Sequence, residues 1–244
     1  MASLTVENYV KAIFKICLGE GSPRATTGQL AAALSVSPGT VTSMLKTLSE
    51  SRLATYTPYE GVRLTDEGNQ LALRVLRRHR LIETFLAQAL EMGWDEVHDD
   101  AEQMEHVISD NLIERIAARL GQPQFDPHGD PIPTADGQMP VLPTHSLADC
   151  PADTPFRLAR VMDQSPDFLR YLTQSGLHLN VQGRVLVHRT EARAITIEVE
   201  DRQITLGHEA AEKLQVAVGA DLAVPDQVRV IPGPHFAGQK TRAT

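Results

Sequence analysis

TGQLAAALSVSPGTVTSMLKTLSES, residues 27–51, holds two short helical patterns separated by three residues. Leu30, Ala31 and Leu34 form an apolar stripe at helical spacing. Ser35-Val36-Ser37 breaks the pattern, and a second helix is expected over 38–51, because Ser37 is a good N-cap and Pro38 suits the first helical position. Upstream, Leu4, Tyr9, Val10, Ile13, Phe14 and Cys17 recur near helical spacing over 4–19, ahead of the breaker Gly19-Glu20-Gly21-Ser22-Pro23. Downstream, the β-prone stretches 53–56 and 62–64 flank the turn Tyr59-Glu60-Gly61. A helix, a helix-turn-helix and a hairpin in this order predict a winged helix-turn-helix, whose second helix would enter the major groove of DNA.

Beyond the hairpin, a long helical pattern covers 65–91, with Leu71, Leu73, Val75, Leu76, Leu81, Phe85 and Leu90 as apolar members. Further helices are expected over 95–108 and 109–120, with Asp95 and Ser109 as N-caps and Gly121 as the stop. The stretch 123–143 is so rich in proline that no regular structure is expected there. From 155 onward the runs 156–162, 184–188, 194–200 and 203–206 alternate around a helix at 166–174, the pattern of a small SH3-like β-barrel. The expected fold is therefore mainly α with a small β domain. A winged helix-turn-helix spans 1–72, a helical dimerisation domain with a Pro-rich linker 73–143, an SH3-like barrel 150–232 and a disordered tail 233–244.

The 244 residues carry 23 Lys and Arg against 31 Asp and Glu, a formal net charge of −8. That acidity argues against nucleic acid only if it is spread evenly, and it is not. Residues 1–70 are balanced, 71–120 and 121–150 each carry a net −4, and 151–244 are balanced again. The reading head is neutral and the excess sits in the centre. No apolar run is long enough to span a bilayer, and no basic segment leads into an apolar stretch at the start, so neither membrane insertion nor export is expected. Two cysteines, Cys17 and Cys150, make no disulfide framework and suit a reducing cytoplasm.

The acidic centre also holds the residues able to do chemistry. His79 and Glu83 are four apart on the long helix and share a face. His98, Glu102, Glu105 and His106 follow at intervals of four, three and one, which on a continuous helix makes one face. Imidazole and carboxylate facing each other from two helices suit Mn(II), Fe(II), Co(II) or Zn(II). An isolated His–Glu pair at this spacing is more often a solvated helix face, which is the reading given to Asp99 and Asp100; six such residues on adjoining helices favour a metal. In the head, Ser37, Pro38, Gly39, Thr40, Thr42 and Ser43 place small side chains at the start of the second helix, where they can approach phosphates and base edges. Lys46, Arg52, Arg63 and Arg24 are candidates for phosphate contacts, although a Lys or Arg taken singly is most often a solubilising charge. A metalloenzyme is the less favoured alternative: HExxH, a nucleophile elbow and a Gly-rich phosphate loop are all missing from the sequence.

The strings TVENYVKAIF (5–14), YEGVRLTDEGNQLA (59–72), LRRHRLIETFL (76–86), VHDDAEQMEHVISD (97–110) and DPHGDPIP (126–133) together resemble the diphtheria-toxin-repressor family of metal-dependent transcriptional regulators. The stretches 168–187 and 195–214 resemble the SH3-like, FeoA-type domain of its longer members. The resemblance implies a cytoplasmic homodimer that binds a palindromic double-stranded operator, usually as a repressor, and acts without catalysis. It implies a primary metal site at Asn8, Glu102, Glu105 and His106 and an ancillary one at His79, Glu83 and His98, sometimes completed near Gln164 or Asp167. Roughly two divalent ions per chain follow from this pattern. Iron-responsive members carry a thioether and a thiol at the positions of Asn8 and Glu102. The harder oxygen donors here favour Mn(II), with Fe(II) as the alternative. Manganese-responsive members often have an acid where this chain has Lys11, whose ammonium would repel a closely spaced second ion. Activation is expected to fade as pH drops through the free-histidine range, ~6.5.

Overall fold

The computed structural model describes residues 3–222 and 229–232. The head begins with α1 (Leu4–Glu20), where Ser3 accepts the Val6 N–H and the helix buries Val10, Ile13, Phe14 and Cys17. α2 (Thr27–Leu34) starts from a capping box between Thr26 and Gln29, and α3 (Pro38–Glu50) starts from Ser37, whose hydroxyl accepts the Thr40 N–H. The antiparallel hairpin of β1 (Ala54–Thr57) and β2 (Gly61–Leu64) forms the wing. Leu30, Val41, Leu45, Leu48 and Val62 close one core beneath these elements.

α4 (Asp66–Ala89), capped by Thr65, ties the head to the rest. Its first half contributes Leu73 and Leu76 to the head core, while Leu81, Ile82 and Leu86 enter a second core with Val97, Ala101, Ile113 and Ala117. That second core belongs to α5 (Val97–Met104) and α6 (Asp110–Arg119). Ser109 caps α6 as expected. α5, however, is shorter than the sequence pattern suggests. Asp95 does not cap it, because its carboxylate receives Arg170 Nη1 at 3.3 Å; Glu96 takes the cap position without a side-chain bond. The helix ends at Met104, and the chain turns through 105–108 to reach the Ser109 cap.

The Pro-rich stretch corrects a second expectation. Within it, β3 (Gln138–Val141) pairs antiparallel with β10 (Arg229–Pro232), with Pro140 opposite Val230. A two-stranded ribbon has only edges, where a proline that donates no hydrogen bond is tolerated. The remaining strands form one antiparallel sheet in the order β4-β9-β5-β6-β7-β8, made by β4 (His145–Ser146), β5 (Pro155–Val161), β6 (Gln182–Arg189), β7 (Ala194–Val199), β8 (Arg202–Gly207) and β9 (Leu214–Val218). α7 (Pro166–Gln174) and α8 (His208–Glu212) pack on its core of Phe156, Leu158, Leu172, Ile197 and Val216. The chain thus has the expected class, mainly helical with a small SH3-like sheet domain. β4, β9 and α8 lie outside the strands and helices read from the sequence, and the tail 233–244 lies outside the described residues. Among those described, no helix is long and apolar enough to cross a membrane.

Candidate metal centre

The site is built by the turn Asp126-Pro127-His128-Gly129-Asp130. Asp126 Oδ1 accepts the backbone N–H of His128 at 2.8 Å and of Asp130 at 2.9 Å, folding the turn around its own carboxylate. Gly129 sits at φ +84°, and its backbone lies so close to Ala159 that a side chain would overlap the Ala159 carbonyl. His128 is thereby held fully buried, and its Nε2 donates to the Trp94 carbonyl at 2.7 Å. A carbonyl only accepts, so in the neutral imidazole the proton is on Nε2 and Nδ1 carries a lone pair. That buried Nδ1 has no hydrogen-bond partner; it faces Glu83 Oε2 at 3.8 Å and Asp126 Oδ1 at 3.9 Å.

Glu83, buried on α4, is the hub. Its Oε1 receives His79 Nε2 at 3.0 Å and His98 Nδ1 at 3.1 Å. Burial works to raise its pKa, but the hydrogen bonds from His79 and His98 hold the carboxyl far below the usual carboxylate range. Asp126 goes the other way: burial, then the neighbouring carboxylates of Asp130 and Glu83, push it up. Asp130, also buried, is held down by Arg80 and Arg160. Ligand atoms of His79, Glu83 and His98 lie within 4.8 Å of one another, and so do those of Glu83, Asp126 and His128. Two carboxylates and three imidazoles, one of them with an orphaned buried nitrogen, fit a divalent ion of hard to borderline character. The Trp94 carbonyl behind His128 is the kind of outer partner that fixes a ligating imidazole.

A second group lies at the seam between head and frame. Glu102 and Glu105 gather with His79, whose Nδ1 donates to Glu105 Oε2 at 2.7 Å. Burial lowers the His79 pKa, but its bonds to Glu105 and Glu83 outweigh this and bring it up to about 9. From α1, Lys11 Nζ donates to Glu102 Oε1 at 2.7 Å and to Glu105 Oε1 at 2.6 Å. Although α5 stops at Met104, Glu105 keeps helical backbone angles and its N–H bonds the Ala101 carbonyl, so it stays beside Glu102. His106 Nδ1 pairs instead with Glu7 at 2.8 Å, and its Nε2, 3.2 Å from Glu105 Oε1, is not aligned for a hydrogen bond. Asn8 Oδ1 is buried without a partner.

The foreseen residues therefore divide. His79, Glu83 and His98 come together; Glu102 and Glu105 join His79; Asn8 and His106 lie along the seam. Gln164 reaches the turn, donating to Asp130 Oδ2 at 3.3 Å, whereas Asp167 is exposed and pairs with Arg170. Sequence reasoning missed Asp126, His128 and Glu7 as site residues. The signal for the first two was a histidine and two aspartates around one glycine; Glu7 had none.

In the head, Ser37, Pro38, Gly39, Thr40 and Ser43 are exposed on the first turns of α3, with Thr42 half-buried and Lys46 exposed one turn on. The Thr42 and Ser43 hydroxyls donate to the Pro38 and Gly39 carbonyls, which keeps them close to the helix surface. Arg24 stands against the wing, donating to Glu60 at 2.6 Å.

Three family models match the chain in succession: the iron dependent repressor N-terminal DNA binding domain over 1–62, the iron dependent repressor metal binding and dimerisation domain over 65–134, and the FeoA domain over 145–218. The iron-dependent repressor IdeR of Mycobacterium tuberculosis is 28% identical over 225 residues, 87% of this chain and 96% of that protein. The HTH-type transcriptional regulator MntR of Lysinibacillus sphaericus is 35% identical over 119 residues, 48% of this chain and 82% of that protein. Among solved structures, a manganese-dependent transcriptional repressor in complex with manganese superposes with a TM-score of 0.79 at 39% identity, covering 87% of this chain and 99% of that one.

Proposed function

Since this chain belongs to the iron-dependent repressor family, that of the diphtheria toxin repressor, we propose that it is a homodimeric repressor whose affinity for a palindromic operator is set by Mn(II). The observation that carries the metal reading is the buried, unpartnered His128 Nδ1 facing Glu83 and Asp126. His79, Glu83, His98, Asp126 and His128 would hold the ion. Bound there, a divalent ion supplies the charge that draws the carboxylates of α4 and the Asp126 turn together. Both cysteines are buried in the hydrophobic cores, away from these groups, so the donors are oxygen and nitrogen and favour Mn(II). Fe(II) is a second reading, favoured by the three imidazoles.

The head is reached through contacts already described. Glu83 bonds His79, His79 bonds Glu105, and Glu105 bonds Lys11 on α1. Asn8, Glu102 and His106 line the same seam. Fixing one end of this chain of contacts restricts the orientations of the head, and a restricted head binds two half-sites at lower entropic cost. Coupling of this kind amounts to ~1–3 kcal/mol, or about 5–150-fold in affinity. Ser37, Pro38, Gly39, Thr40, Thr42 and Ser43 would face the groove, with Lys46 and Arg24 on phosphates. Val107 and Leu112, exposed around the start of α6, suit a dimer contact. The function is binding alone, with no catalytic step.

The test is fluorescence anisotropy with a palindromic operator fragment in Mn(II), in Fe(II) under anaerobic conditions, and in chelator. Tightening by Mn(II) at least fivefold over chelator is expected; equal affinity in all three overturns the proposal, and tightening by Fe(II) alone selects the second reading.

A further inference from the structure

Lys11 stands on the head, while Glu102 and Glu105 stand on the frame, 91 and 94 positions along the chain. The ammonium is buried and makes direct charge-assisted bonds to one oxygen of each carboxylate, at 2.7 and 2.6 Å. At those distances no atom fits between the ammonium and either oxygen. An ammonium has three donors and no lone pair, so it cannot itself join a coordination sphere. Yet Glu102 and Glu105, with His79, are otherwise a ligand set, their atoms within 4.8 Å of one another. A divalent ion entering that set would meet a positive charge at contact distance, or would have to drive a buried lysine off both its partners.

Of the other seam donors, Asn8 Oδ1 and His106 Nε2 make no hydrogen bond, while the remaining ones are engaged. Glu105 uses its second oxygen for His79, and His106 Nδ1 is taken by Glu7, whose other oxygen lies 3.7 Å from Arg78. We infer that Lys11 is the built-in cation of the seam: it ties the head to the frame and closes Glu102 and Glu105 to divalent ions, so that the chain carries one metal site, at Glu83. The inference rests on the metal-sensing function proposed above and departs from the two ions per chain that the family resemblance implies. The tie between α1 and the frame is made by a side chain of the chain itself and needs no metal; what the ion adds is made at the Glu83 end.

Equilibrium dialysis of the full chain against Mn(II), with metal per chain measured by elemental analysis, tests this on the parent, Lys11→Met and Lys11→Gln, with folding checked by circular dichroism. The parent should hold one Mn(II) per chain and both variants two. A parent holding two overturns the inference without any variant, and so decides the matter even if both variants fail to fold. Folded variants that keep the parent's count of one also overturn it. A parent holding no Mn(II) overturns the metal-sensing reading instead; a gain of one ion in the variants then still upholds the closed seam, and no gain overturns it.

Discussion

Replacing Gly129 with alanine should damage the metal centre without touching a single ligand atom. The added Cβ would lie 2.1 Å from the Ala159 carbonyl oxygen and 2.7 Å from Arg160 Cα, both backbone atoms. Ordinary contact begins near ~3.5 Å, so the turn must move by about 1 Å. Three hydrogen bonds resist that movement: Asp126 N–H to the Asp130 carbonyl at 2.9 Å, Gly129 N–H to the Asp126 carbonyl at 3.0 Å, and Val161 N–H to the His128 carbonyl at 2.9 Å. A left-handed conformation costs an alanine ~1–2 kcal/mol, and weakening one or two hydrogen bonds adds ~0.5–1.5 kcal/mol each, giving about 3 kcal/mol in all. Gly176→Ala is the control, because Gly176 has nearly the same φ, +76°, with nothing within 4 Å of its Cβ position; it should lose only ~1 kcal/mol. The single tryptophan, Trp94, stacks on His128 with ring centroids 6.3 Å apart, so its fluorescence reports local unfolding in urea. Gly129→Ala should also weaken Mn(II) binding by roughly 10–100-fold, as other disruptions behind a ligand do. If it loses no more stability than Gly176→Ala and binds Mn(II) as the parent does, the turn does not position His128 and Asp126 as argued.

The pH window for Mn(II) binding should lie well above the ~6.5 of free histidine. His79, raised to about 9 by Glu105 and Glu83 against the opposing effect of burial, keeps its proton below that pH. If binding displaces this proton, affinity should climb ~10-fold per pH unit from 7 to 9 in calorimetric titrations, and a flat profile there removes His79 from the linkage. Below neutrality the raised pKa of Asp126 should steepen the fall. Lys46→Gln should weaken binding to every DNA sequence alike and flatten the salt dependence by about one unit of slope; loss confined to the operator would place Lys46 on a base edge. Ser37→Ala should cost about 1 kcal/mol of head stability through the lost bond to the Thr40 N–H, measured by chemical denaturation, and no loss would mean the cap is not needed.

The head could be read from sequence nearly residue by residue, because its signals are local. Ser37 is a cap, Pro38 is a helix starter, and Leu30, Ala31 and Leu34 keep a helical spacing. His79, Glu83 and His98 were legible for the same reason. The seam was not. Whether His106 joins Glu102 depends on α5 ending at Met104, and nothing periodic marks that end: Glu105 through Ile108 continue the helical pattern while the chain turns toward Ser109. Asp126 and His128 escaped because prolines on either side pointed to irregular chain. A turn organised around one aspartate is as well defined as a helix, but its order lies in hydrogen bonds rather than in repetition. Lys11 shows a third limit, since its position was seen while its partners lie far along the chain.

The ribbon of β3 and β10 makes the SH3-like barrel an insertion rather than an appendage. Besides that ribbon, Arg170 on Asp95, Gln164 on Asp130 and the Val161 N–H on the His128 carbonyl hold the barrel against the frame. Cutting the chain after Val218 would therefore remove the ribbon yet leave both the six-stranded sheet and those three contacts in place.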